Sequence, residues 1–251
     1  MARRRPPNRL DQILEAATRV FARTGLDNSK MSDVATEAGV SQGTLYNYVE
    51  SKEALFRLLL DRGLGKPPPA LAVLPLRSPS AAALAHRMDE AIAATFALPR
   101  LDTALAQRRV TNAAAELTEV IDEFYERTLS TRQAADVLER SARDVPELAA
   151  VFYGKVRRNL FDRMERLIAH RIASGHYHDR DPNVLARFVV ETITTFARHI
   201  YNDVEPPDFD LALARTAIIE TVVAGIVRSP ATRPRSRSPA RPTRSRRPRG
   251  P

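Results

Sequence analysis

Three observations predict an all-α fold for this chain. Apolar residues recur at i, i+3, i+4 and i+7 through much of its length, no segment shows the alternation of a half-buried strand, and glycines and prolines stand at the ends of several periodic stretches. The pattern divides into a small N-terminal set of short helices and a larger helical region.

Each element follows from its own residues. In "LDQILEAATRVFARTG" the residues Leu10, Ile13, Leu14, Ala17, Val20 and Phe21 share one helical face, and Gly25 is placed to stop that helix. "MSDVATEAG" repeats the pattern with Met31, Val34, Ala35 and Ala38 and breaks at Gly39, the residue best able to take a left-handed conformation. Ser41 offers an N-cap oxygen to a third helix over about 42–48, and Ser51 to a fourth through Ala54, Leu55, Leu58 and Leu59. A helix, a tight turn at Gly39–Ser41 and another helix have helix-turn-helix spacing. Pro67, Pro68, Pro69, Pro75 and Pro79 then mark a linker over 66–80. Beyond it, helical periodicity is expected in 80–98, 112–128, 132–143 and 146–174, the last with Pro146 in its first turn and Gly175 after its end. Asp181-Pro182 opens a helix to about Tyr201, with Leu185, Phe188, Val189, Ile193 and Phe196 on one stripe, and a last helix covers about 210–228. The expected domains are 8–65, the linker, and 81–228, followed by an Arg, Pro and Ser-rich tail at 229–251.

Composition narrows the functions available. The chain of 251 residues is 43% hydrophobic, enough for a real core, and it has no cysteine, which excludes disulfides, thiolate metal sites and a cysteine nucleophile. No run approaches the roughly 18 apolar residues of a membrane span, and "MARRRPPNRL" lacks the apolar core of a signal peptide, so a cytoplasmic, nucleoid-associated protein with no membrane partner is expected. The net charge of +9 is uneven: 229–251 hold eight of the 39 basic residues and no acidic one, leaving residues 1–228 with 31 basic against 30 acidic. A basic, Pro-rich tail has nothing to bury and is expected to be disordered. It could add phosphate attraction to a DNA binder, bind RNA as an arginine-rich segment, or be inert.

A helix that enters the major groove needs an apolar inner face and a polar outer one. Leu45 and Val49 supply the first. Gln42, Thr44, Asn47 and Tyr48 are expected to turn outward, with Tyr46 toward the edge. Gln and Asn can pair bidentately with adenine, the Thr methyl can meet a thymine methyl, and Tyr hydroxyls can reach phosphates. Lys52, in the first turn of the next helix, adds a cation beside anion-seeking backbone N–H groups.

The stretch "GLDNSKMSDVATEAGVSQGTLYNYVESKEAL" resembles the N-terminal domain of TetR-family transcriptional regulators, through Gly25, "DVATEAGVS", "GTLYNYV" and "SKEAL" at fixed spacing. The resemblance covers 8–65 by motif and the rest as an architecture. It implies DNA contacts by Gln42, Gly43, Thr44, Tyr46, Asn47, Tyr48 and Lys52, with Ser29 and Lys30 near a phosphate-touching start of the second helix. Two departures stand out: Lys30 occupies the position before the second helix where the family usually has Ser or Thr, and Val49 replaces a more frequent Phe. The resemblance further implies a homodimer formed by helices 182–201 and 210–228, a pseudo-palindromic double-stranded operator, and a small-molecule effector with an apolar part. Ala214, Ala217, Thr221, Ala224 and Gly225 would permit close packing across a two-fold axis, or belong to the intrachain core.

An effector cavity between the middle helices would draw on Phe96, Phe124, Tyr125, Phe152 and Phe161, residues that otherwise read as core. "HYHD" at 176–179, with His170 upstream, reads as an exposed loop rather than a metal site, and no cofactor is expected. No Ser-His-Asp grouping or Gly-rich phosphate loop can be named, so an enzyme is not expected. The function expected is a DNA-binding regulator, a repressor released from its operator by the effector. The competing expectation is a general nucleic-acid-packaging protein driven by the Arg-rich ends.

Overall fold

The computed structural model describes residues 8–63, 65–70, 73–80 and 97–228. Most of the helical pattern expected at 80–98, the Arg3–Arg5 cluster and the tail at 229–251 lie outside the described residues. Among those described there are helices and two isolated β-bridges but no strand.

The head is built from α1 (Arg9–Asn28), α2 (Met31–Glu37), α3 (Gln42–Tyr46) and α4 (Lys52–Gly63). Its inward residues form a filled core in which Ile13, Phe21, Leu45 and Leu55 are completely buried, and the rings of Phe21 and Phe56 meet at 6.0 Å. Gly25 breaks α1 at φ 77°, ψ 170°, so the chain turns toward α2 as expected. At the end of α2, Val40 N–H donates to Ala35 O and Gly39 N–H to Thr36 O, a Schellman arrangement that needs the positive φ of Gly39. Arg19 and Arg23 both reach Glu37, at 2.7 and 3.0 Å, bracing α1 against α2. The expected linker is anchored to the head in part. Leu74 is buried in its core, and Leu76 pairs with the chain just after α3, its N–H donating to Tyr48 O at 2.8 Å and its carbonyl accepting from Glu50 N–H at 3.0 Å.

The body comprises α5 (Pro99–Ala106), α6 (Ala113–Ala142), α7 (Pro146–Ala149), a π-helical stretch at Ala150–Arg157 that runs into α8 (Arg158–Ala173), α9 (Pro182–Ala197) and α10 (Leu211–Ile226). Several details differ from the sequence reading. Helices expected at 112–128 and 132–143 are one 30-residue helix, α6. The polar "TLSTR" between them is no break, because the Ser130 and Thr131 hydroxyls donate back to Arg127 O and leave the helical ladder in place. The helix α5 is not among those expected from the sequence; Pro99 serves as its first residue, where a missing N–H costs nothing. The helix from Asp181 ends at Ala197 rather than Tyr201: Arg198 leaves helical geometry as its guanidinium reaches Asp136 and Glu139 of α6, both at 2.6 Å. Phe188, expected on its inward stripe, is 50% exposed. The "HYHD" segment is not a solvated loop throughout, because Tyr177 is fully buried and His178 N–H and His176 O pair with Ile226 O and Arg228 N–H.

Two apolar clusters fill the molecule, and α6 belongs to both. Leu117, Val120, Ile121 and Phe124 pack in the body, whereas Val137, Leu138 and Ala142 pack against the head. At 1.5 Å per residue α6 is about 45 Å long, so it links the two regions physically. In the body, Arg171 is buried against Glu116 through two 2.7 Å bonds and also donates to Ala104 O, tying α8 to α5 and α6. Removing one partner of such a buried pair costs about 3–5 kcal/mol, because the other charge is left unpaired.

Candidate functional site

The reading helix α3 is held by its cap. Ser41 Oγ accepts from Thr44 N–H at 3.2 Å, and Leu45 and Val49 are fully buried beneath it. Gln42, Gly43, Tyr46 and Asn47 are exposed and Thr44 partly so, giving one polar arc above an apolar base. Tyr46 is 45% exposed.

Tyr48 departs from the expected outward position: it is only 2% exposed. The reason is local geometry. Regular helix ends at Tyr46, and Asn47 N–H and Tyr48 N–H donate to Thr44 O and Leu45 O, three residues back. At three residues per turn side chains i and i+3 eclipse, so Tyr48 follows Leu45 into the core. The tyrosine presented to solvent is Tyr46.

The flanking positions are also more committed than the sequence suggests. Ser29 is 3% exposed, its hydroxyl bonded to Gly25 O, so it closes the corner between α1 and α2. Lys30 is exposed at the start of α2. A lysine has no acceptor with which to cap that helix, and the bond made there is Lys30 N–H to the Asp33 carboxylate at 3.0 Å. Lys52 Nζ donates to Asp27 O at 2.7 Å, holding the end of α1 to the start of α4.

Head and body meet at a polar joint around Gly25. Leu26 N–H donates to Ser141 Oγ at 3.0 Å, Arg140 Nε to Arg23 O at 3.1 Å, and Asn28 Nδ2 to Asp144 Oδ2 at 2.8 Å. A Cβ on Gly25 would lie 3.2 Å from Asp144 Oδ2 and 3.3 Å from Arg140 O, so the joint closes over a residue without a side chain.

Within the body, α5, α6, the π-helical stretch, α8 and α9 surround a cavity of about 590 Å³. On α6 it is walled by Phe124, Arg127, Thr128, Thr131 and Ala135, a stripe at helical spacing. Opposite stand Phe152 and Val156 of the π-helical stretch and Val190 and Thr194 of α9. Of the aromatic residues expected here, Phe124 and Phe152 line the cavity, and Phe96 lies outside the described residues. Tyr125 does not line it; its hydroxyl donates to Phe196 O at 3.2 Å. Phe161 does not line it either, because its ring is covered by the guanidinium groups of Arg157 and Arg187 at 5.2 and 4.5 Å. Phe152 has a double position: it lines the cavity and also packs in the head's apolar cluster.

Sequence reasoning missed the polar wall of the cavity, chiefly Arg127, Thr131 and Thr194. A signal was present. On α6, Arg127 and Thr131 interrupt an otherwise apolar inward stripe, and polar residues at inward positions need an account.

The outer faces of α9 and α10 leave Val184, Phe188 and Leu213 at 64%, 50% and 72% exposure. Ala217, Thr221, Ala224 and Gly225, weighed above as core or interface, are exposed in the single chain. A helix apolar on both faces needs a cover on both. Among the described residues no group of three or more His, Cys, Asp or Glu side chains could hold a metal, and no helix is long and apolar enough to cross a membrane.

Comparison with known proteins points the same way. Residues 13–59 match the model of bacterial regulatory proteins of the tetR family. An uncharacterized HTH-type transcriptional regulator of Bacillus subtilis (strain 168), YfiR, is 45% identical over 53 residues, 21% of this chain and 26% of that protein. The match thus spans about a quarter of that relative, and it falls on 23% of a second, YvdT of the same organism. The fatty acid metabolism regulator protein of B. subtilis is 23% identical over 220 residues, 86% of this chain and 94% of that protein. Among solved structures, the ketosteroid transcriptional regulator KstR2 of Mycobacterium tuberculosis has a TM-score of 0.57 at 17% identity, covering 90% of this chain and 98% of that one. The shared feature at that identity is the all-helical fold, head and body together.

Proposed function

We propose that this chain, whose N-terminal domain is that of the tetR family of bacterial regulatory proteins, is a sequence-specific DNA-binding transcriptional regulator that represses as a homodimer. The observation that carries the reading is α3: an exposed arc of Gln42, Thr44, Tyr46 and Asn47 on a fully buried Leu45 and Val49, in a domain of that family. Amide, hydroxyl and methyl groups on such an arc can read base edges and phosphates when the helix enters a major groove. The small, exposed residues of α10 and the apolar outer face of α9 supply the two-fold interface that sets two reading helices about one helical turn of DNA apart.

An effector in the body cavity would act through α6 and Phe152, which reach both the cavity and the head's core. A ligand that binds one arrangement of α6 more tightly than the other shifts the dimer toward it, by no more than that difference in affinity. The full-length relative named for fatty acid metabolism agrees with an effector bearing an apolar chain.

Selection of bound duplexes from a random library, followed by footprinting, tests the reading. The expected product is a pseudo-palindromic site bound by a dimer, with binding kept after residues 229–251 are removed. A monomer binding all duplexes alike would overturn it, and loss of all binding with the tail would transfer the activity to the Arg-rich segment.

A further inference from the structure

The ligand class of the body cavity can be read from its charges, an inference that rests on the cavity being the effector site. Five cations line it, Arg127, Lys155, Arg157, Arg163 and Arg198, against one carboxylate, Asp102. Most of that excess is compensated locally. Arg163 pairs with Asp102, Arg157 with Glu191, and Arg198 with Asp136 and Glu139. Arg127 is different: it is half-buried at the middle of α6, and among the described residues it has no carboxylate partner. A half-buried lysine or histidine could relieve its charge by losing a proton, but a guanidinium cannot. On the same stripe of α6 the cavity is lined by Phe124, Thr128 and Thr131, the last with its hydroxyl already donated to Arg127 O. Among the described residues, then, an anion entering the cavity would meet at Arg127 a charge that no carboxylate neutralises.

We propose that the cavity takes an apolar anion, a chain or ring system of a size suited to about 590 Å³, whose carboxylate or phosphate head is held by Arg127. The planar fork of arginine can donate two parallel bonds to either head group. The apolar body lies against Phe124, Phe152, Val156 and Val190. A neutral analogue fills the same volume but leaves Arg127 unpaired, so charge separates ligands that shape alone does not.

The test uses the full-length protein and three probes of equal chain length: decanoate, decyl phosphate and decan-1-ol, titrated calorimetrically at one salt concentration. The proposal expects at least one anion to bind about 10- to 100-fold more tightly than the alcohol. Arg127→Gln should bring that anion down to the alcohol's affinity, whereas Arg127→Lys should retain part of the preference. The carboxylate and phosphate arms distinguish the two head groups. Equal binding of all three, no binding of any at millimolar concentration, or an unchanged preference in a folded Arg127→Gln protein would overturn the proposal. If that variant does not fold, the wild-type ratio of anion to alcohol decides alone. Operator release is scored separately. Preferred anion binding without release supports the ligand class and removes the effector role, while release by the alcohol alone removes the ligand class and leaves the regulator.

Discussion

The head and the body solve opposite packing problems. In the head, short helices close over a core with Ile13, Phe21, Leu45 and Leu55 fully buried, and most polar residues, Ser29 excepted, are wholly or partly exposed. In the body, long helices enclose a cavity of about 590 Å³ and turn some polar residues, Arg127 and Thr131 among them, inward. The backbone follows the contrast: the chain tightens to three-residue bonding at the end of α3 and widens to a π-helix beside the cavity. The DNA reading proposed for the head would gain from a filled, stiff core, because interiors packed to crystal density transmit strain rather than absorb it. The effector role proposed for the body would call for space and a segment whose bonding can change, and π-helical turns are common at such places.

Substitutions should separate the two regions. The largest effect is expected from Leu45→Asn, which buries an amide with no partner in the head's core and costs about 3–5 kcal/mol. Calorimetry should show loss of the head's structure with the body's helices retained; a fully cooperative loss of both would mean that the contrast is only geometric. Phe152→Ala comes next, at about 3 kcal/mol for a buried aromatic side chain. Because Phe152 touches both regions, it should weaken stability and effector response together. An unchanged ratio of operator affinities with and without effector would remove it from the coupling path.

Gly25→Ala should cost about 1–2 kcal/mol, since a side chain at φ 77° is strained and its Cβ would press on Arg140 O and Asp144. The change acts at the joint, so the readout is operator affinity against thermal stability, with affinity expected to fall further than stability alone would explain. The smallest effect belongs to Glu37. Its bonds from Arg19 and then Arg23 hold the carboxyl below the ordinary value of 4.5. A depressed carboxyl stabilises the fold above its unfolded value, and that contribution is lost as pH falls from 4.5 through the lower folded value. Glu37→Gln should flatten this part of the pH–stability curve and alter little at pH 7, as befits a surface pair. An identical slope in the variant would show that the brace adds nothing.

Most of the head was legible in sequence because its signals are local. Gly39 marks a turn by its conformation, Ser41 and Ser51 mark helix starts by their oxygens, and the spacing of Leu45 and Val49 marks an inner face. The failures there were also local, but finer than periodicity can resolve: one turn of tightened bonding took Tyr48 inward, and a corner hydrogen bond took Ser29. In the body the helices were legible and the cavity was not. An inward aromatic residue reads the same whether it faces another side chain, as Tyr125 and Phe161 face arginines, or an empty space, as Phe124 does.

By itself the sequence determined the all-helical class, the helix-turn-helix and its capping, and the segregation of basic residues to the chain's ends, because each follows from residues near one another along the chain. Tertiary structure alone decided that α6 serves two cores, that Gly25 closes a joint against α6, and that Arg127 lines a cavity with no carboxylate partner of its own among the described residues. Those facts depend on what a distant segment places opposite a side chain, and periodicity encodes a direction without encoding what is met there.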